Sequence, residues 1–384
     1  MKPVLELLQR LKADPESADT ELSAFVEEQT FPIADNNQAV FFWYDGKPTH
    51  KVFLIHWVFG LESRQELVRI PDTHAFYLPL ELPKDSRIEY KFELQRDYKT
   101  QLVRDPLNPR KALDPFGANS VCPMAGYADP AWVHPEPGVR PGRLESFDVK
   151  SAAFGERRRV TVYLPAEYKD HKAYPLLICH DGSDYRRFAV MTTVLDNLIH
   201  RHEVKPLVVA FVDGSGQRNA EYGANPQQTQ HIVDEVLPAV RGRYGVSTKV
   251  EETGIMGASF GGVTSLFTAF SRPGVFGRLL LQSGSFLFTD VGTHDRGPLW
   301  DPVAAFVNEL REDPSRLDAR IYMSCGTFES LIYYNRSLAP LLRKSGLDVR
   351  FVESRDGHNW INWRDRLREG LTFLFPGHLW FTYE

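Results

Sequence analysis

The chain has 384 residues, more than one domain usually holds, so the length predicts two domains with sizeable cores. Its 42% hydrophobic and 25% charged residues are typical of globular proteins. The net charge of −5 comes from 45 basic and 50 acidic residues spread along the chain, which argues against a general nucleic-acid surface or an anionic-membrane surface.

Targeting and membrane signals are missing from the sequence pattern. The first residues are amphipathic and acidic and lack the apolar core of a signal peptide, and no apolar run approaches the length of a membrane span. The three cysteines, Cys122, Cys179 and Cys325, are too widely spaced for a disulfide framework or a zinc site. We therefore expect a cytoplasmic protein.

The first part of the chain predicts a short helix followed by strands. Residues from Val4 to Leu11 have helical spacing, with Pro3 placed for a first turn. The runs AVFFWYD, HKVFLIHWVFG, AFYLPLEL and RIEYKFEL then combine aromatic and β-branched residues between Gly, Pro and Asp turns. Strands without intervening helices predict a small antiparallel β-sandwich, which either only packs or also covers a substrate.

A stretch rich in proline and glycine, about residues 105–141, predicts a linker that packs on its surroundings. We place the domain boundary near Pro141, which gives an N-terminal domain over 1–141 and a catalytic domain over 142–384.

The second domain alternates short apolar runs with helical patterns. The runs RRVTVYLP, PLLICHDG, PLVVAFVDG, TGIMGAS, RLLLQSG, RIYMSCG and VRFVES each end in a turn. Such alternation predicts a doubly wound α/β domain with a mostly parallel sheet covered on both faces. Ligands of these sheets bind beyond the carboxyl ends of the strands.

The sequence Gly257-Ala258-Ser259-Phe260-Gly261 has the spacing of a nucleophile elbow. It falls between a strand pattern and a helix pattern, where small residues two before and two after the serine relieve crowding of the backbone. The pattern by itself is weak, and its alternative reading is a serine that caps a helix followed by glycines that allow close packing.

An activated serine needs a histidine and an acid that follow it in the chain. His358 lies after the last strand pattern, and His378, the other late histidine, follows the apparent last helix. Glu329 lies three residues past the end of the preceding strand pattern and is the acid that we expect, with a structural glutamate favoured by the helix dipole as the alternative. Three other acids remain alternatives to Glu329: Asp290, Asp301 and Asp356.

The backbone N–H of Phe260 is predicted to face the oxyanion, with a second donor from Gly182 or Ser183 after an early strand. The sequence lacks the glycine-rich, Walker-type and His-Glu-x-x-His motifs of nucleotide and metal enzymes. We therefore expect no metal and no organic cofactor.

These motifs resemble the enterochelin (ferric enterobactin) esterase family, within the esterase-D-like α/β-hydrolases. The resemblance is carried by MGASFGG, CGTFES, DGHNWINWRDRLREGL, HDG and DPLNP. It implies an immunoglobulin-like or early-set sandwich before a hydrolase domain, and cytoplasmic iron release by hydrolysis of the serine-ester bonds of a catecholate siderophore. It also implies that Ser259 is the nucleophile, His358 the base and Glu329 the acid.

Several residues are candidate substrate contacts. Asp184 and Tyr185 depart from the aromatic, less acidic character expected in this family, and an acid there would disfavour a polyanionic ferric siderophore. Arg187 and Arg218, with Arg186, could offset that charge, and Trp360 is a further candidate.

The function predicted is therefore a serine carboxylesterase that forms an acyl-enzyme on a small-molecule ester. Its substrate is a siderophore or, alternatively, an acetyl, feruloyl or other simple ester. Two further alternatives are an acyltransferase on the same fold and a non-catalytic protein that binds a sugar or siderophore.

Overall fold

The computed structural model describes residues 1–97, 99–289 and 294–378. Its contacts divide the chain into two compact units. The first comprises Met1–Ala128 together with two later segments, Gly326–Glu329 and Ser354–Asn359, and the second comprises the rest of the described chain. Within the described ranges, no helix has the combination of length and apolar character that a bilayer span requires.

The first unit is a sandwich of two antiparallel sheets preceded by two helices. The sheets have the strand orders β1-β2-β6-β5 and β4-β3-β7-β10-β9, and β8 also pairs with β7. Its elements are α1 (Lys2–Ala13), α2 (Ala18–Glu28), β1 (Ile33–Asp35), β2 (Gln38–Trp43), β3 (Lys51–His56), β4 (Arg64–Glu66), β5 (Val68–Arg69), β6 (Phe76–Glu81), β7 (Arg87–Arg96), β8 (Lys99–Val103), β9 (Lys111–Asp114) and β10 (Gly117–Pro123).

Strand β2 explains why the N-terminal helices are needed. Alternate residues point to opposite faces of a strand, yet both faces of β2 are buried. Phe41 joins Tyr90 and Phe92 of the facing sheet in one core, whereas Phe42 packs with Phe25 of α2 in another. The predicted sandwich is therefore confirmed, with α1 and α2 covering its outer apolar face.

The segment predicted as a linker contains sheet structure. Strands β9 and β10 lie within residues 105–141, and β10 pairs with β7 in the second sheet. The motif at Asp105 also belongs to the sandwich, because the buried Tyr90 hydroxyl donates to its carboxylate over 2.6 Å. The N-terminal stretch of the first unit ends at Ala128, and Trp132 already belongs to the second unit, where its carbonyl accepts from Asn197 Nδ2. Proline and glycine thus mark turns in this segment, but the short stretches between the turns form strands that pair in the second sheet.

The second unit is an eight-stranded sheet in the order β11-β12-β14-β13-β15-β16-β17-β18. Strands β14, β13, β15, β16 and β17 pair in parallel, and β11 and β12 are antiparallel. Its strands are β11 (Arg143–Ser151), β12 (Glu156–Leu164), β13 (Leu176–His180), β14 (Val208–Val212), β15 (Thr253–Ala258), β16 (Arg278–Gln282), β17 (Arg320–Gly326, whose last residue groups with the first unit) and β18 (Val349–Ser354, likewise at its last residue).

Helices cover both faces of this sheet. In β13, Leu176 and Ile178 join one apolar core, and Leu177 and Cys179 join the core on the other face. The helices are α3 (Gly182–Arg187), α4 (Met191–His200), α5 (Arg218–Tyr222), α6 (Pro226–Gln230), α7 (Leu237–Arg241), α8 (Phe260–Ser271), α9 (Asp301–Glu312), α10 (Ile332–Lys344) and α11 (Trp360–Leu374), with a π-helical turn over His231–Val236. The predicted doubly wound α/β-hydrolase fold is confirmed, and β11 is a strand that the sequence did not predict.

Candidate active site

Ser259 lies at a sharp turn between β15 and α8. Its backbone has φ 57° and ψ −121°, a conformation that a residue with a side chain rarely adopts. The turn is fixed on both sides, because the Ser259 N–H donates to Gln282 O over 2.9 Å and the Ser259 carbonyl accepts from Gly262 N over 3.0 Å. The hydroxyl lies 3.2 Å from Ser285 Oγ. This is the geometry of a nucleophile elbow.

Space requires the first glycine of the motif and is tight at the second. A Cβ atom on Gly257 would lie 2.4 Å from the carbonyl carbon of Gly261, closer than any real contact. A Cβ atom on Gly261 would lie 3.1 Å from Asp181 Oδ2. The sequence reading of these glycines as relief for a crowded turn agrees with both distances.

The two proposed types of oxyanion donor differ in their surroundings. Phe260 is the first residue of α8, where backbone N–H groups have no partner within the helix. Ser183, in contrast, donates its backbone N–H and its hydroxyl to Asp213 Oδ1, each over 2.9 Å. The prediction for Ser183 is therefore corrected, because its amide is already bonded to a carboxylate. Gly182 is the candidate that remains, and it is held close to Phe211.

Glu329 and His358 form a hydrogen-bonded pair within the first unit. Glu329 Oε2 lies 2.6 Å from His358 Nδ1, and Glu329 Oε1 accepts from Gly326 N over 2.7 Å. The glutamate side chain is buried, whereas 38% of the histidine side chain is exposed. A carboxylate that accepts from Nδ1 leaves Nε2 as the basic nitrogen, so this pair can act as a general base.

The alternative acids have other partners. Asp356 is buried and bonds to Arg87, and Asp301 lies 3.3 Å from His294 with most of its side chain exposed. Asp290 lies outside the described residues. His378 is exposed beyond the last helix.

His180 precedes the loop that carries Gly182, and burial lowers its pKa to about 3. The side chain is fully buried and packs edge-on against Tyr222, with ring centroids 4.9 Å apart. His180 is therefore neutral at physiological pH and has the wrong environment for a base that must take up a proton.

Acidic residues cluster after β13. Burial, together with the charges of Asp181 and Asp213, raises the pKa of Asp184 to about 6. Arg218, a predicted substrate contact, is bound by the Asp181 carboxylate through two nitrogens. The charge of Arg218 is thus already compensated by Asp181, whereas Asp184 is ionised above about pH 6.

Two other predicted substrate contacts are core residues, which corrects those predictions. Tyr185 is fully buried, and its hydroxyl donates to Gln282 Oε1 over 2.8 Å. Trp360 is 8% exposed and packs edge-on against Tyr185, with ring centroids 5.1 Å apart. Arg187 is exposed, with its guanidinium carbon 5.0 Å from the centre of the Phe188 ring.

Sequence reasoning missed Ser285 beside the Ser259 hydroxyl and Gln282, which fixes the Ser259 backbone. Both lie at or just after the end of β16, next to β15 in the sheet, and the only sequence signal was that strand end. Among the described residues, no group of three His, Cys, Asp or Glu side chains is arranged to hold a metal ion.

Residues 151–374, more than half of the chain, match the family model described as "Putative esterase". The iron(III) enterobactin esterase of Escherichia coli K12 is 26% identical over 299 residues, which cover 77% of this chain and 72% of that protein. The Dickeya dadantii iron(III) enterobactin esterase is 24% identical over 348 residues, which cover 82% of this chain and 80% of that protein.

Solved structures show the same fold. The ferric enterobactin esterase of Salmonella typhimurium has a TM-score of 0.77 at 23% identity, covering 92% of this chain and 98% of that chain. The enterobactin esterase of Shigella flexneri, solved in the presence of enterobactin, has a TM-score of 0.75 at 22% identity, covering 91% and 97%.

Proposed function

We propose that this chain, which belongs to the putative esterase family and is a carboxylic ester hydrolase, works through Ser259 as nucleophile, His358 as base and Glu329 as acid. The observation that carries the proposal is the backbone of Ser259, which is held at φ 57° between β15 and α8. Strained backbone of this kind clusters at functional sites, and this turn presents a hydroxyl beside the first amides of a helix.

The proposed reaction has two halves. His358 Nε2 takes the proton of Ser259 Oγ as this oxygen attacks the ester carbonyl, and the same proton then leaves with the departing alcohol. Water next repeats the attack on the acyl-enzyme, which releases the carboxylic acid and restores the serine. The Phe260 N–H and an amide at Gly182 stabilise the oxyanion in both halves.

Labelling with a fluorophosphonate and hydrolysis of p-nitrophenyl butyrate test this proposal. We expect the wild-type protein to be labelled at Ser259 and Ser259→Ala to lose both labelling and at least about 10³-fold in kcat. Ser285→Ala is the matched control for the site of labelling: its hydroxyl lies 3.2 Å from Ser259 Oγ, and we expect this variant still to be labelled at Ser259. Equal labelling of the wild type and Ser259→Ala would refute the nucleophile.

As substrate we propose an ester bond of a catecholate siderophore of the enterobactin type. Support comes from the iron(III) enterobactin esterases, which this chain matches over more than two thirds of their length. The acidic residues around Asp184 favour the less negatively charged forms of such a substrate. Rates on ferric enterobactin, iron-free enterobactin, its linear fragments, and acetyl and feruloyl esters decide the question, and faster turnover of a simple ester than of every siderophore would refute it.

We also propose a cytoplasmic location, supported by three cysteines that are all buried thiols. Fractionation of cells that express the chain tests this, and recovery from the periplasm or medium would contradict it.

A further inference from the structure

We propose that Arg87, at the start of β7 in the sandwich, is a positioning residue for His358. This inference rests on the proposed function, in which His358 is the general base. It gives the N-terminal sandwich a part in catalysis, because the sandwich then holds the segment that carries the base.

Arg87 contacts three residues of the Ser354–Asn359 segment. Its Nη1 lies 3.2 Å from Asp356 Oδ2 and donates to Asn359 Oδ1 over 3.2 Å. Its backbone N–H donates to Arg355 O over 3.0 Å. The bonded residues lie on both sides of His358 in the chain, so one side chain and one backbone group fix both ends of this short loop.

Asp356, which Arg87 binds, makes further hydrogen bonds within the loop. Its Oδ1 accepts from Gly357 N and from Asn359 Nδ2, each over 2.7 Å, and these are the immediate neighbours of His358. The Asp356 carbonyl also accepts from Phe328 N over 3.1 Å, one residue before Glu329. Asp356 therefore connects the two segments, through its carboxylate to the neighbours of His358 and through its backbone carbonyl to the segment of Glu329.

The buried charges require the arginine. Arg87 is 2% exposed and Asp356 is 5% exposed, and Arg87 Nη2 also donates to Glu89 Oε1 over 2.8 Å. Burial raises the pKa of Asp356 to about 6, although Arg87 opposes that shift. Without the guanidinium, the carboxylates of Glu89 and Asp356 would be buried with no cation between them, and their repulsion would act on the loop that carries Asp356.

A displaced loop would impair proton transfer. A misplacement of about 1 Å at a catalytic group can cost about 100-fold in rate. A role confined to holding the fold together would instead lower stability and leave the kcat of the folded protein unchanged.

The test is Arg87→Met in the full-length enzyme, with Arg96→Met as the matched control. Arg96 lies at the other end of β7 and bonds to Asp45 through two contacts of 2.7 Å, away from the His358 loop. At a temperature where circular dichroism shows both variants folded, we expect Arg87→Met to lose about 10- to 100-fold in kcat with KM changed less than about 3-fold. Arg96→Met should keep kcat within about 2-fold.

Added guanidinium ion should restore part of the kcat of Arg87→Ala and leave Arg96→Ala unaffected. If Arg87→Met does not fold, Arg87→Lys and Asp356→Asn decide, with an expected loss of about 3- to 10-fold in kcat. A wild-type kcat in folded Arg87→Met would overturn the inference, and so would a wild-type kcat in both Arg87→Lys and Asp356→Asn where Arg87→Met does not fold. His358→Ala distinguishes failure of the proposed function from failure of the positioning role. If His358→Ala retains the wild-type kcat, His358 is not the base and the proposed function fails. If His358→Ala loses activity while Arg87→Met keeps it, only the positioning role of Arg87 is refuted.

Discussion

The Asp181 carboxylate binds the guanidinium of Arg218 through two nitrogens, Nε and Nη2, each 2.5 Å from an oxygen. Asp181 is 4% exposed, so this pair neutralises a buried carboxylate close to Gly261 of the elbow. Arg218 is therefore part of the framework under the elbow, which limits its use as a free cation for an anionic substrate.

Arg218→Met should lower the free energy of unfolding by about 2 to 4 kcal/mol, because it leaves Asp181 buried without a cation. Arg187→Met is the control, since Arg187 is exposed and should change stability by less than about 0.5 kcal/mol. Urea denaturation followed by fluorescence measures both. If Arg218→Met keeps its stability and raises KM for anionic esters only, Arg218 is a substrate contact and not part of the framework.

Glu329→Gln should lower kcat by about 10² to 10⁴-fold, because the amide cannot hold His358 in the required tautomer with the same strength. Asp301→Asn is the control, because the Asp301 carboxylate lies near His294. Steady-state kinetics on p-nitrophenyl butyrate measure both variants. The assignment of the acid is wrong if Asp301→Asn loses activity and Glu329→Gln keeps it.

Gly257→Ala should destabilise the protein by about 2 kcal/mol or more and reduce kcat, because the new methyl group would overlap the Gly261 backbone and force the elbow open. Gly216→Ala is the matched control, since no atom lies within 4 Å of a Cβ at that position. Thermal unfolding and fluorophosphonate labelling rates together measure the effect. An elbow that tolerates Gly257→Ala at full labelling rate would contradict the crowding described above.

Asp184→Asn should raise kcat/KM for an anionic ester about 5-fold at pH 8 and low ionic strength, and leave a neutral ester unchanged. The pKa of Asp184 is raised to about 6, so the wild-type group is charged at pH 8 and protonated at pH 5. The advantage of the variant should therefore disappear as the pH falls through 6. Comparison of p-nitrophenyl succinate with p-nitrophenyl butyrate provides the measurement, and an equal gain on both esters would exclude an effect of charge.

Local patterns were sufficient to predict much of the second unit. Strand β13 is a continuous apolar run between turns, and the elbow at Ser259 follows from two glycines at fixed spacing next to a strand and a helix. Strand β11 escaped prediction because it is mostly exposed and rich in charged residues, so it has the polarity of a surface loop. Its nine-residue register with β12 is a tertiary property.

Long-range partners explain the errors in the candidate site. Tyr185 was expected to face a substrate, but its hydroxyl bonds to Gln282, which is 97 positions away in the chain. The bond between Arg87 and Asp356 spans 269 positions. Neither partner leaves a local signal, whereas the order of Ser259, Glu329 and His358 along the chain was readable because each follows a strand.

The compact unit that contains the sandwich also contains the segments of the proposed acid, Glu329, and the proposed base, His358, which the chain reaches only some two hundred residues later. Dividing the chain near residue 128 or 141 therefore does not separate a packing domain from a catalytic domain. Residues 1–128 and the segments at 326–329 and 354–359 pack as one body, although about two hundred residues of chain separate them. A sandwich taken from a distant relative would have to be transferred together with that relative's own two loop segments. A fragment that starts at residue 142 would keep the turn at Ser259 but lose the contacts that hold the segment of His358.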